Sequence, residues 1–111
     1  MNNYVIEDNT VRLTVNGKEI SFRADSEFSS RLASLANEAA EKKENCENDD
    51  EIEVSAFLSY VLDTLIGDGT VEKLFGDILP DPLDLCDVIS FVADAFGDYR
   101  RRRIAAIKGV A

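Results

Sequence analysis

Val11-Arg12-Leu13-Thr14-Val15-Asn16-Gly17-Lys18-Glu19-Ile20-Ser21-Phe22-Arg23 is the stretch that sets the fold class of this 111-residue chain. Apolar and polar residues alternate with period two on both sides of Asn16-Gly17, as in half-buried strands. Asn-Gly suits a two-residue type I′ turn, whose central positions both need positive φ. Such a loop sets Leu13 opposite Ile20 and Val11 opposite Phe22, with all four on one face. Thr14 then meets Glu19, and Arg12 meets Ser21, on the other. A one-residue slip would turn the apolar set to the wrong face, so pattern and turn specify the same register. A turn at Asp8-Asn9 would likewise set Ile6 opposite Val11 and Tyr4 opposite Leu13, which makes a three-stranded meander of residues 1–23.

Downstream of Asp25-Ser26 the period changes to that of a helix. Phe28, Leu32, Leu35, Ala36 and Ala39 form a light amphipathic stripe, with Ser26 or Asp25 as the cap, and the helix fades through Glu41-Lys42-Lys43-Glu44. Residues 44–53 hold six acidic side chains and no basic one, which predicts a solvated connector that also supplies negative charge to the start of the next helix. That helix, from about Glu51 to Ile66, carries Val54, Phe57, Leu58, Val61, Leu62 and Leu65, the widest apolar face in the chain and the expected centre of the core. Gly67 ends it, Asp68-Gly69 turns the chain, and Thr70–Phe75 is a short helix closed by Gly76. Asp81-Pro82-Leu83-Asp84 starts the last helix, with Asp81 as N-cap and proline at the first helical position. Its stripe is Leu85, Ile89, Val92 and Phe96, flanked by Cys86, Val88 and Ala93. Gly97 is one candidate end; Tyr99, Arg103 or Ile104, and Ile107 prolong the same face if the helix continues.

The expected architecture is α+β: an N-terminal antiparallel β-hairpin or three-stranded meander followed by about four helices. One domain spans 1–111, with the meander at 1–23, a helical part at 26–97 and a basic C-terminal tail at 98–111. A chain of this size buries roughly two thirds of its unfolded surface and folds without metal or disulfide staples. The formal charge of −10, from 22 acidic and 12 basic residues, argues against a nucleic-acid surface, which needs positive potential. No histidine is present, which removes Ser-His and Cys-His catalysis and the commonest zinc ligand. Met1–Asp8 has no basic region followed by an apolar run, so no signal peptide is expected, and no stretch approaches the ~18 apolar residues of a membrane span. A cytosolic address favours free thiols over a Cys46–Cys86 disulfide; Cys86 is expected in the core and Cys46 at the surface.

Several side-chain groups invite a chemical reading and are explained more simply. Asn48-Asp49-Asp50-Glu51 lacks the glycine and the ligand spacing of a calcium loop. Asp77, Asp81, Asp84 and Asp87 lie close in sequence, but helix caps and solvent-facing charge account for them without a metal-dependent hydrolase. Gly67-Asp68-Gly69 follows a helix, not the buried strand of a phosphate-cradling loop. Neither catalytic residues nor a cofactor or metal is expected. Arg100-Arg101-Arg102-Arg103 reads first as a solvated helix end, second as a docking element for an acidic protein surface, and only third as a nucleic-acid or lipid contact. Residues 98–111 carry +4, four arginines and a lysine against one aspartate, which leaves −14 on the remainder. Leu74, Phe75, Ile78 and Leu79 around the short helix, and Ile104 and Ile107 in the tail, read first as core and second as contact surface, the tail residues being the best candidates for contact with another chain. With Arg100, Arg101 and Arg103 they are the candidate protein-contact residues.

One segment carries a resemblance. An apolar helix ending at Ile66, then Gly67-Asp68-Gly69-Thr70-Val71-Glu72-Lys73-Leu74-Phe75-Gly76, then a helix alternating Asp with apolar residues, resembles the tail assembly chaperones of long-tailed phages and prophages of Gram-positive bacteria. The hairpin with Asn16-Gly17-Lys18-Glu19 ahead of a helical remainder is similar to theirs, whereas Glu38–Glu53 lies outside the likeness. The resemblance implies a non-enzymatic role in the cytoplasm of a bacterial host. Such chaperones coat a long, apolar, helical tape-measure protein until tail-tube subunits polymerise around it. They often self-associate, so a homo-oligomer is one expected state, and in many phages a longer form arises by ribosomal frameshifting. The alternative expectation is a small acidic homo-oligomeric structural or regulatory module of unknown partner.

Overall fold

The computed structural model describes residues 9–45 and 50–110. Strands β1 (Thr10–Val15) and β2 (Lys18–Arg23) form an antiparallel hairpin, followed by helices α1 (Ser26–Asn45), α2 (Glu51–Ile66), α3 (Thr70–Phe75) and α4 (Pro82–Val110). The class is α+β, with a two-stranded sheet among the described residues. Tyr4 and Ile6, on which the third strand of a meander depended, lie outside them, as does Cys46.

The register is the one that the alternation and the turn specify: Leu13 pairs with Ile20, Val11 with Phe22, Thr14 with Glu19 and Arg12 with Ser21. Asn16 and Gly17 stand at φ 52° and 76°, as a type I′ turn requires. Ile20 and Phe22 are buried and Val11, Leu13 and Val15 half-buried, so the hairpin turns one face to the helices. The ladder runs one step further, where the Ala24 N–H donates to the Asn9 carbonyl at 2.8 Å.

Three aspartates open the three long helices. Asp25 Oδ1 accepts from the Phe28 N–H at 3.0 Å, Asp50 Oδ1 from Ile52, and Asp81 Oδ1 from Leu83 at 2.8 Å. Each satisfies one of the first-turn donors that have no partner within the helix. The hydrogen bond from Phe28 holds the Asp25 carboxyl below its usual range, and the Arg23 cation adds to the effect.

The core is centred on three rings. Phe22 of β2 stacks on Phe28 of α1 at 4.6 Å between centroids, and Phe28 meets Phe96 of α4 at 4.7 Å. Leu62 and Leu65 of α2 and Leu85 and Val92 of α4 are wholly buried around them. The stripes rotate relative to expectation. On α4 the buried positions are Leu85, Val88 and Val92, with Ile89 only half-buried, and Cys86 is exposed rather than in the core. Cys86 lies 100° round the helix from Leu85, and α4 has α2 and the hairpin on one side only. On α2 Val54 is exposed and Ser55, about 100° round the helix from it, takes the inner position. Ala36 and Ala39 of α1 are exposed, although Leu35 beside them is buried. Beyond them α1 and α2 touch each other at their edges, as where Lys42 Nζ lies 5.1 Å from the centre of the Phe57 ring. Gly97 does not end α4, which runs 29 residues through it. No helix among the described residues is long and apolar enough to cross a membrane.

Candidate functional site

Two surfaces gather the side chains that the sequence marks as contact residues, and they lie at opposite ends of α4. The first is a groove built by the α2–α3–α4 turns. Gly67 leaves α2 at φ 149° and Gly69 enters α3 at φ 86°, where an L side chain would be strained. Gly69 therefore brings no side-chain cap to α3. Asp63, one turn from the end of α2, supplies it instead: its Oδ1 accepts from the Val71 N–H at 2.9 Å. Thr70 Oγ1 donates to the Gly67 carbonyl at 2.6 Å and closes the turn.

Six residues of α3 bury Val71 and Leu74 inward, and Gly76 at φ 82° then sends the chain outward. Leu74 is therefore core rather than contact surface, and Phe75 is half-buried against the core. The four residues 77–80 must reach the start of α4 across the outside of this bend. Ile78 is consequently 80% exposed and Leu79 49%. Between this connector, α3 and α2 lies an open groove of about 420 Å³, lined by Ser59, Asp63, Glu72, Asp77, Ile78 and Leu79 among others. Ser59 Oγ is buried in its wall with no hydrogen-bond partner among the described residues. Glu72 and Asp77 make the rim acidic, and Lys73 is turned away, with its Nζ donating to the Glu19 carbonyl of the hairpin at 2.5 Å.

The second surface is the end of α4. Tyr99 and Arg103 fix it to the hairpin: Tyr99 Oη donates to Asn9 Oδ1 at 2.8 Å, and Arg103 Nη1 donates to the same oxygen at 3.0 Å and to Tyr99 Oη at 2.9 Å. Arg100 Nη1 donates to the Ala24 carbonyl at 3.2 Å. Arg100 and Arg103 are thus structural as well as basic. Arg101 pairs with Asp98 on the outer face of the helix, and Arg102 is exposed. Beyond Arg103 the helix leaves the body, and Ile104 and Ile107 are 48% and 69% exposed beside Lys108.

Some exposed apolar residues escaped the sequence reading. Leu83 is 74% exposed in the first turn of α4, and Ile52, Tyr60 and Phe91 are also at the surface. A signal existed for Phe91: at ~100° per residue it falls roughly 135° round the helix from the centre of the Leu85, Ile89, Val92 and Phe96 stripe. The aspartates do not converge. Asp81 is a cap, Asp77 is on the groove rim, and Asp84 and Asp87 are exposed on α4. Among the described residues no three acidic, cysteine or histidine side chains are placed to hold a metal ion. No family model, curated protein or solved structure matches the chain.

Proposed function

We propose that this is a non-enzymatic protein-binding protein whose partner is a long, apolar, helical chain, in the manner of a phage tail assembly chaperone acting on a tape-measure-type protein in the bacterial cytoplasm. The observation that carries the reading is the set of large apolar side chains left outside on helices and their connectors, with Ile52, Ile78, Leu83 and Ile107 each more than two thirds exposed. Such residues on an acidic body suit a chaperone: net charge keeps the free protein dissolved, and apolar patches take up an apolar helix.

The test begins with the neighbouring genes, where a very long helical protein is expected. Co-expressed with this chain, that protein should stay in the soluble fraction; with Ile78→Asp and Leu83→Asp together it should return to the pellet. An unrelated gene neighbourhood, or a client that stays insoluble beside well-folded wild-type chain, overturns the proposal. A second reading, a self-associating interaction module, is favoured by one observation of its own, the basic and apolar end of α4 on an otherwise acidic molecule.

A further inference from the structure

We propose that the C-terminal end of α4 on one copy of this chain seats in the α2–α3 groove of another copy. The inference deepens the self-association reading and is independent of the client. The two surfaces complement each other in charge and in character. The donor is a helix end carrying Arg101, Arg102 and Lys108 around Ile104 and Ile107, all of them exposed, with Arg101 paired to Asp98 of the same helix. The acceptor offers Ile78 and Leu79 as apolar wall, with Glu72 and Asp77 as acidic rim. The Arg101–Asp98 pair is no obstacle, because an exposed ion pair contributes little and exchanges readily.

A single copy cannot make this contact with itself. The connector at 77–80 leads directly into α4, and Ile107 lies 24 residues beyond Leu83 on the same helix, roughly 36 Å along its axis at ~1.5 Å per residue. The hairpin gives the same sense: Lys73 of α3 reaches Glu19 near the start of β2, whereas Arg100 reaches Ala24, just past its other end. The arm and the groove therefore point away from each other in an elongated molecule whose longest dimension is 61 Å. A second copy is the partner whose presence is certain wherever this chain is made, and it carries the matching surface. Two turns of helix in a shallow groove form a small interface, below the ~1,200 Å² of stable complexes, so the association should be concentration-dependent and weakened by salt.

Because the two surfaces are unlike, the proposal has a complementation test. Ile107→Asp disables the arm and leaves the groove; Ile78→Asp disables the groove and leaves the arm. Both positions are exposed, and circular dichroism checks that each variant is folded. By sedimentation velocity at low salt the wild type should associate as its concentration rises and return to monomer at high salt. Each variant alone should be monomeric, and an equimolar mixture should form a 1:1 complex. Arg101→Glu with Arg102→Glu should abolish association, and Glu72→Lys with Asp77→Lys in the mixed partner should restore it. A wild type that stays monomeric at low salt and high concentration overturns both this contact and the self-association reading. A wild-type oligomer that either variant still forms alone, or a mixture that stays monomeric, overturns this contact only.

Discussion

Asp63 does for α3 what Gly69 cannot. The tight turn after α2 needs glycine at the N-cap of α3, and glycine has no side chain to accept the first-turn N–H groups. A carboxylate from the last turn of the preceding helix fills that role, and in doing so it ties α2 to α3 and fixes one wall of the groove. Replacing Asp63 with Ala should lower stability by about 1 kcal/mol, as loss of a helix cap does, while Asp63→Asn should keep most of it. Urea unfolding followed by circular dichroism measures both; an unchanged midpoint in Asp63→Ala would show that the bond carries no net stabilisation. The sequence marked the Gly67-Asp68-Gly69 turn, the cap at Asp81 and a cap at Asp25 or Ser26, because a cap acts within three residues of itself. It did not mark Asp63, because its partner is eight residues away and becomes a neighbour only once two helices have folded against each other.

At the scale of elements, the hairpin was legible to the residue, and the helices in where they start but not in which face they bury. Period-two alternation has just two faces, so Val11, Leu13, Ile20 and Phe22 admit one register, and Asn16-Gly17 supplies the turn that agrees with it. A helix has a continuum of faces. Val54 and Ser55 differ by 100°, and which of them turns inward depends on where α4 and α1 cross α2, a quantity the local pattern does not contain. Cys86 and Val88 both flank the expected stripe of α4, and only Val88 turns inward. Gly97 left two ends open for α4, and the helix passes through it because Tyr99, Arg100 and Arg103 anchor the following turn to Asn9 and Ala24. Gly97→Ala should therefore stabilise the protein by up to about 1 kcal/mol, the difference in helix propensity. A Cβ there meets only the mobile end of Arg101, at 3.4 Å. The measurement is the shift in thermal midpoint; a fall would mean that the position needs the freedom of glycine.

For the whole molecule the decisive feature is shape. Extents of 61 × 31 × 19 Å describe an elongated chain, of which α4 alone, at 29 residues, accounts for roughly 43 Å at ~1.5 Å per residue. The last turns of α4 leave the body, so a chain ending at Arg103 should unfold within about 0.5 kcal/mol of the full-length protein, as exposed positions do. A larger loss in urea unfolding would place residues beyond Arg103 inside the folded unit. By itself the sequence determined the α+β class, the strand register, the starts of the long helices and the division of charge between an acidic body and a basic end, because each of these follows from neighbours within a few residues or from simple composition. Only the tertiary structure decided that Leu74 goes inward while Ile78 and Leu79 stay out, that Arg100 and Arg103 hold the hairpin, and that arm and groove face opposite ways. Burial is a property of what packs on the other side, and those partners lie up to 94 residues away along the chain.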